Sequence, residues 1–387
     1  MIQNSLKQLV YHSVKLLGEA LQEIHGDKLY QEIESLRVKM KSVRGEEAGL
    51  VQKTLDDVYN DLTLNDSNEL HSKAKAFALM LELINTCEAA YRAHRLSKFH
   101  IEESKKPEAI IYVFTSHPTE SRSQAFLKIM RSIEDLLIES LDENFDSIRE
   151  RLYYLLKISV RLSLANNRRP QVRDEMEQIF HIVLAPDILK EQIALNKNDI
   201  NVSFRTWVGG DKDGHPLVGS KTMLESLSLS RKKLLEFIQQ QMKTFEDELH
   251  LIPEGKFVKK ELMSFKVSLQ ALKTVQKGDG KKVVTLKTKL KKLRDIAEKY
   301  SLLSPFISNV EMLVWIYPAI VLPLEIREDS EFINAAIKDK KQPIVKMLAT
   351  LKSISQGMEA KWYVRGFVIS MCQTTEDMLA AKDITVR

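Results

Sequence analysis

The chain has 387 residues, 44% of them hydrophobic and 29% charged, which suffices for a packed core in one large domain or in two to three ordinary ones. No stretch approaches the roughly 20 apolar residues of a membrane helix, and two cysteines, Cys87 and Cys372, exclude a disulfide scaffold or a cysteine-based zinc module. A formal net charge of +5 is small for this length and does not mark a nucleic-acid binder.

The opening stretch, Met1–Gln22, is interrupted by polar residues and carries no small-residue cleavage site, so it does not read as a secretory signal. Together with the sparse cysteines this predicts a cytoplasmic, reduced setting. Between Leu70 and His94 the apolar set Phe77, Met80, Leu81, Ile84, Cys87 and Tyr91 follows the 3.6-residue period of a helix. The same pattern covers Gln124–Leu141, and helices are also predicted over 221–248, 258–276 and 286–300. Residues 331–356 read as helical with a break near Pro343. The basic stretch from Lys256 to Lys299 holds only two aromatics, Phe257 and Phe265, and reads as a solvated helical face, not as a nucleic-acid patch.

Four short runs break the helical pattern: Ala109–Phe114, Val202–Val208, Ile320–Ile326 and Arg365–Met371. Each is rich in β-branched or aromatic residues and is followed by polar residues, so each reads as a strand. Long helical stretches between them give the pattern of parallel crossover units. The expected fold is mainly α with a few parallel strands: the N-terminal half of a (β/α)8 barrel wrapped by many long helices. The expected boundaries are an N-terminal helical region over 1–108 and four strand–helix units with helical insertions over 109–387.

The polar residues that follow each run are the candidates for chemistry, because ligands of parallel α/β folds sit at the C-terminal ends of strands. His117 ends the first unit's strand, before Pro118, Thr119 and Glu120. A histidine held there can shuttle a proton near neutral pH; a loop histidine that only caps or hydrogen-bonds has the same local pattern. The second unit leads into Gly209-Gly210-Asp211-Lys212-Asp213-Gly214-His215-Pro216, directly after Trp207. Paired glycines let the backbone approach a ligand or a neighbouring strand, and Asp211 and Asp213 can bind a metal or orient basic groups. A turn that orders the strand end is the plainer reading. Arg327 follows the third run and is flanked by Glu325, Glu328 and Asp329. A guanidinium there suits a phosphate or carboxylate, and a local salt bridge to those acids is the alternative. Arg168 and Arg169, ahead of Asp174 and Glu175, read as a helix-entry salt-bridge network. Motifs of serine hydrolases, Walker-type nucleotide sites and HExxH metalloproteases are absent.

The ordered motifs resemble the bacterial-type phosphoenolpyruvate carboxylase family. LLGEALQEIHGDKLYQEIESLR and AFALMLELINTCEAAYRAHR look like its N-terminal helices, FTSHPTE like its histidine signature, and RRPQVRDEM like its Arg-Pro and Asp-Glu segment. WVGGDKDGHP, LPLEIREDS and FVISMCQTTEDMLA are similar to its glycine loop, its third-strand arginine segment and its fourth strand with the following helix. The resemblance spans residues 15 to 381. Lys212, His215 and Glu328 depart from its usual Arg, Asn and Gln, and Ser123 and Gln124 stand where it has an arginine pair.

The resemblance implies that bicarbonate and phosphoenolpyruvate are joined to give oxaloacetate and phosphate, an anaplerotic carboxylation assisted by Mg or Mn. By the same resemblance His117 is the catalytic histidine of the carboxylation step. Arg327 is the arginine that contacts phosphate or the carboxyphosphate intermediate, and Trp207, Gly209, Gly210, Asp211 and Asp213 lie beside the substrate. No metal ligand is expected within this sequence; the family's acidic ligands belong to a C-terminal half, so the expected partners are that half or full-length carboxylase subunits of a tetramer, with neither nucleic acid nor membrane. A non-catalytic carboxylase-like binding or regulatory module is the alternative expectation.

Overall fold

The computed structural model describes residues 2–98, 109–115, 122–164, 171–213 and 217–386. Two compact units emerge, each with its own hydrophobic core.

The first unit is helical. It contains α1 (Ile2–His25), α2 (Asp27–Ser42), α3 (Ala48–Thr63), α4 (Ser67–Ser97), α5 (Gln124–Asp142) and α6 (Phe145–Arg161). α1 packs on α4 and α6, and α5 lies against both α4 and α6. Their facing stripes are buried: Leu16, Leu17 and Ala20 of α1, Leu79, Leu83 and Cys87 of α4, Ile133 and Leu137 of α5, and Leu152 and Leu156 of α6. Asp66 caps α4 by accepting the Asn68 and Glu69 amides, and Asn144 caps α6. Ser123, one of the departures from the family pattern, caps α5: its Oγ accepts the Phe126 amide and donates to the Ser163 carbonyl.

The second unit carries the sheet. Its strands are β1 (Ile110–Phe114), β2 (Val202–Thr206), β3 (Leu324–Asp329) and β4 (Val364–Ser370), all parallel and in the order β1-β2-β3-β4. Its helices are α7 (Val172–Val183), α8 (Pro186–Lys197), α9 (Ser220–Leu249), α10 (Gly255–Gln270), α11 (Asp279–Lys299), α12 (Pro305–Ile316), α13 (Ser330–Lys338), α14 (Pro343–Ser355) and α15 (Thr375–Val386). Neighbouring strands follow one another in sequence, the order of a barrel wall; a doubly wound sheet reverses direction at a switch point. A closed barrel is not formed among the described residues.

Strand alternation sorts the two faces. Val202, Phe204 and Thr206 of β2 and Leu324, Ile326 and Glu328 of β3 are buried, four of them in the core shared with the helices. Arg205, Glu325 and Arg327 fall on the opposite face and are half-buried.

All four expected strands are present, with one displaced. The third run was expected over Ile320–Ile326, but β3 begins at Leu324 and continues to Asp329. Pro323 has no amide to give a ladder. The preceding residues form a buried turn, with Ile320 at φ 52° and its amide on the Tyr317 carbonyl, so their apolar character reflects burial without strand pairing. The break near Pro343 is present, and the proline occupies the first turn of α14, where its missing amide costs nothing. α10 stops at Gln270, short of the expected 276. α11 starts at Asp279, earlier than expected, because Gly278 adopts a left-handed conformation before it.

Candidate functional site

After Thr206, which pairs with Leu324, the chain leaves β2, makes a tight turn and rejoins β3 at Arg327. Thr206 Oγ1 starts the turn by accepting the Val208 amide and donating to the Phe114 carbonyl of β1. The Gly210 and Asp211 amides both return to the Trp207 carbonyl. The segment then pairs with β3: Arg327 N–H donates to the Gly210 carbonyl, and the Lys212 and Asp213 amides donate to the Arg327 carbonyl.

This path requires both glycines. Gly209 has φ 91°, and a Cβ there would lie 2.6 Å from Ser226 Cβ. A Cβ on Gly210 would lie 2.4 Å from the Glu325 carbonyl oxygen, an impossible approach to backbone. The neighbouring-strand reading of the glycine pair therefore accounts for Gly210.

The turn delivers two carboxylates to Arg327. Nε and Nη2 donate to Asp211 Oδ1 and Oδ2 at 2.7 and 3.0 Å, and Nη2 also lies 2.8 Å from Asp213 Oδ2. Hydrogen bonding to Asp211 raises the guanidinium pKa above its ordinary value. The Ser370 hydroxyl donates to Asp213 Oδ1, which brings the end of β4 into the same cluster. The guanidinium carbon sits 4.9 Å from the centre of the Trp207 ring, a cation–π stack. The acids near Arg327 in sequence do not pair with it. Asp329 caps α13, Glu328 turns into the core face, and Glu325 accepts Trp207 Nε1 and Arg205 Nη1, each at 2.9 Å. Among the described residues Nη1 of Arg327 makes no hydrogen bond, those of this guanidinium running through Nε and Nη2.

Glu175, in the first turn of α7, adds a further carboxyl to this neighbourhood. Burial and then the Asp211 charge push its pKa up to about 7. Asp174 beside it closes a capping box with Gln171.

Of the sequence candidates, Trp207, Gly209, Gly210, Asp211, Asp213 and Arg327 converge. His117, Gly214, His215, Pro216, Arg168 and Arg169 lie outside the described residues. Arg205, Ser370 and Glu175 reach this neighbourhood from β2, β4 and α7; Glu175 and Ser370 lie inside the RRPQVRDEM and FVISM segments, whereas no local motif marks Arg205. The two aspartates do not fit a divalent cation in this arrangement, since both oxygens of Asp211 accept from Arg327 and those of Asp213 are taken by Arg327 and Ser370. Among the described residues no group of three or more His, Cys, Asp and Glu side chains is placed to hold a metal ion. None of the helices described is long and apolar enough to cross a membrane.

Charged side chains gather at the C-terminal ends of the parallel strands, the edge at which α/β folds generally bind their ligands. A sequence model of the family described as phosphoenolpyruvate carboxylase matches residues 6–110 and 92–286. The chain belongs to the phosphoenolpyruvate carboxylase family. It is 26% identical over 293 residues to the phosphoenolpyruvate carboxylase of Vibrio vulnificus strain YJ016, covering 64% of this chain and 33% of that protein. The enzymes of Hahella chejuensis (25% over 285 residues, 61% and 32%) and Salmonella typhi (26% over 284 residues, 62% and 31%) are similar to the same extent. The chain thus spans about a third of the length of the curated relatives it matches.

Proposed function

We propose that this polypeptide supplies the N-terminal part of a cytoplasmic phosphoenolpyruvate carboxylase, a carboxy-lyase joining bicarbonate to phosphoenolpyruvate to give oxaloacetate and phosphate. The observation that carries the reading is the convergence of two family motifs, 116 residues apart, in the Asp211–Arg327 pair at a strand end. In this reading residues 109–387 form the first four units of a (β/α)8 barrel and residues 1–108 its helical flank. Arg327 offers its remaining N–H groups to phosphate or carboxyphosphate oxygens, while Asp211 and Asp213 fix its plane and Trp207 backs it. His117 serves the carboxylation step. Mg or Mn is expected from ligands in polypeptide outside this sequence, and carboxylase subunits are the expected partners.

The test is oxaloacetate formation from phosphoenolpyruvate, bicarbonate and Mg. It is run with residues 1–387 alone and with a separately produced C-terminal portion of the Vibrio vulnificus relative. Activity that needs all three reactants, appears on reconstitution and is lost in His117→Ala supports the proposal. Failure of every complementing portion that binds the chain would sink it and favour the non-catalytic carboxylase-like binding module.

A further inference from the structure

The chain's positive charge is concentrated on α10 and α11. Residues 256–299 carry 14 lysines and arginines against four acids, a net +10 in a chain whose total is +5, so the rest of the sequence is net acidic. One of the four acids, Asp279, is buried against Arg231 of α9 and is lost to the surface. Like charges at this density repel one another along a helix until counter-charges are supplied. Few come from within the chain: Lys266 pairs with Glu246, Arg294 pairs with Glu311, and Lys287 lies over the Trp362 ring.

α10 and α11 pack along one another and leave an open groove of about 490 Å³ between them. Val267, Ser268 and Ala271 line one side, Lys282, Thr285 and Lys289 line the other, and no acidic residue takes part. Val267 is 62% exposed, and Met263, one turn before it on the same face of α10, is 47% exposed. Lys282 and Lys289 are two helical turns apart on α11, about 10.5 Å along its axis. Both are half-buried, and neither forms an ion pair or a side-chain hydrogen bond among the described residues. The groove thus combines an apolar floor with two uncompensated cations at a fixed spacing.

We propose that the α10–α11 groove docks an acidic amphipathic helix of a partner protein. Carboxylates at i and i+7 of such a helix meet Lys282 and Lys289, and apolar residues at i+3 and i+4 between them cover Val267 and Ala271. The lysines set orientation and encounter rate, while the apolar strip supplies the burial. A nucleic acid has only phosphates to place on the apolar floor, and a bilayer surface is too flat to fill a groove. The inference does not depend on the reaction proposed above.

The experiment titrates the full chain into a fluorescein-labelled, stapled helical peptide with glutamate at i and i+7, leucine at i+3 and i+4, and glutamine elsewhere. Binding is read by fluorescence anisotropy, and a saturable rise is expected. The double variant Lys282→Glu with Lys289→Glu, and separately Val267→Glu, should each weaken it at least tenfold. Lys256→Glu with Lys260→Glu, the same charge change outside the groove, should leave it within twofold. Circular dichroism checks that the variants fold, and if the Lys282 and Lys289 double variant does not, Val267→Glu decides. Absence of saturable binding overturns the proposal, as does equal binding of a peptide with its glutamates moved to i and i+2, or an equal loss in the Lys256 and Lys260 variant. A tighter, groove-dependent response to duplex DNA or to phosphatidylserine vesicles overturns it in favour of a nucleic acid or a membrane.

Discussion

Arg327 and Asp211 meet in a two-pronged ion pair, with Nε and Nη2 of the arginine on the two oxygens of one carboxylate. The pair closes a gap in the sheet. Between Thr206 and Asp211 the β2 side makes a turn, and the next backbone bridge to β3 falls at Asp211 and Arg327 themselves. The side-chain pair and the backbone bridge therefore share the same two residues. A lysine cannot reproduce this geometry, having one ammonium where arginine offers a planar fork.

Arg327→Lys is expected to lower stability by about 1–2 kcal/mol, the low end for charge-assisted hydrogen bonds because both side chains are roughly a quarter to a third exposed. The three tryptophans, Trp207, Trp315 and Trp362, all lie in the sheet-bearing unit, so their fluorescence during urea unfolding reports on that unit alone. A double-mutant cycle with Asp211→Asn and Arg327→Lys measures the coupling. A coupling energy indistinguishable from zero would show that the pair does not hold the loop to β3.

Glu175 gives the site a pH dependence. Its carboxyl is half-buried near Asp211, and its folded pKa of about 7 lies above the ordinary value of 4.5. Below pH 4.5 both folded and unfolded chains hold the proton. Between 4.5 and about 7 the unfolded chain releases it first, so stability falls as pH rises through this window and the loss is complete above pH 7. Glu175→Gln removes the charge permanently and should raise the melting temperature at pH 8 while leaving pH 4.5 nearly unchanged. The check is the difference in melting temperature between wild type and variant across pH 4 to 8. A difference that does not grow with pH rules out Glu175 as the titrating group.

The strand–helix alternation was legible because burial imposes it: β2 and β3 each needed one apolar face, and the long helices each needed an apolar stripe. Ile320–Leu322 misled because a buried turn satisfies the same apolar pattern as a strand. The partners of Arg327 were not legible, for three separate reasons. Glu325 stands on the same face but is held by Arg205 and Trp207, Glu328 points into the core, and Asp329 is committed to a helix cap. Only a turn built on two glycines brings Asp211 within reach, and its course depends on Ser226 and the Glu325 backbone, both distant in sequence. Likewise nothing in the linear pattern of α5 and α6 reveals that they pack with α1 and α4, since an apolar stripe does not specify which helix it meets.

Gly210 tests whether the loop course is fixed. A methyl group there would press against the Glu325 carbonyl oxygen at 2.4 Å, and that oxygen belongs to β3 backbone that cannot rotate away. Gly210→Ala should cost about 1–3 kcal/mol, the usual range for overpacking. It should also weaken the Trp207–Arg327 stack, visible as a change in native-state tryptophan fluorescence. Gly219→Ala, where a Cβ meets nothing within 4 Å and φ is extended, is the control expected to stay within about 0.5 kcal/mol. Equal effects at the two positions would contradict the steric account.

The sheet-bearing unit has a second ion pair of a different kind. Arg231 of α9 and Asp279 at the start of α11 are both fully buried, joined by two hydrogen bonds of 2.6 and 2.7 Å. Tyr363, just before β4, donates its hydroxyl to Asp279 Oδ2 at 2.7 Å, and Arg231 Nη2 donates to the Ala319 carbonyl ahead of β3. Burial and the Asp279 charge raise the Tyr363 pKa, so the hydroxyl stays a donor. The cluster ties two helices to the approaches of two strands, and Leu324 N–H, the first of β3, donates to the Tyr363 carbonyl. Removing one partner strands a buried charge, so Arg231→Met alone should cost about 3–5 kcal/mol. Replacing both, as Arg231→Met with Asp279→Leu, removes the stranded charge and should be less destabilising than Arg231→Met alone. Urea unfolding followed by tryptophan fluorescence compares wild type, Arg231→Met, Asp279→Leu and the double variant. If the double variant loses the sum of the single losses, the charges do not act as a pair and the carboxylate's role reduces to its bond with Tyr363.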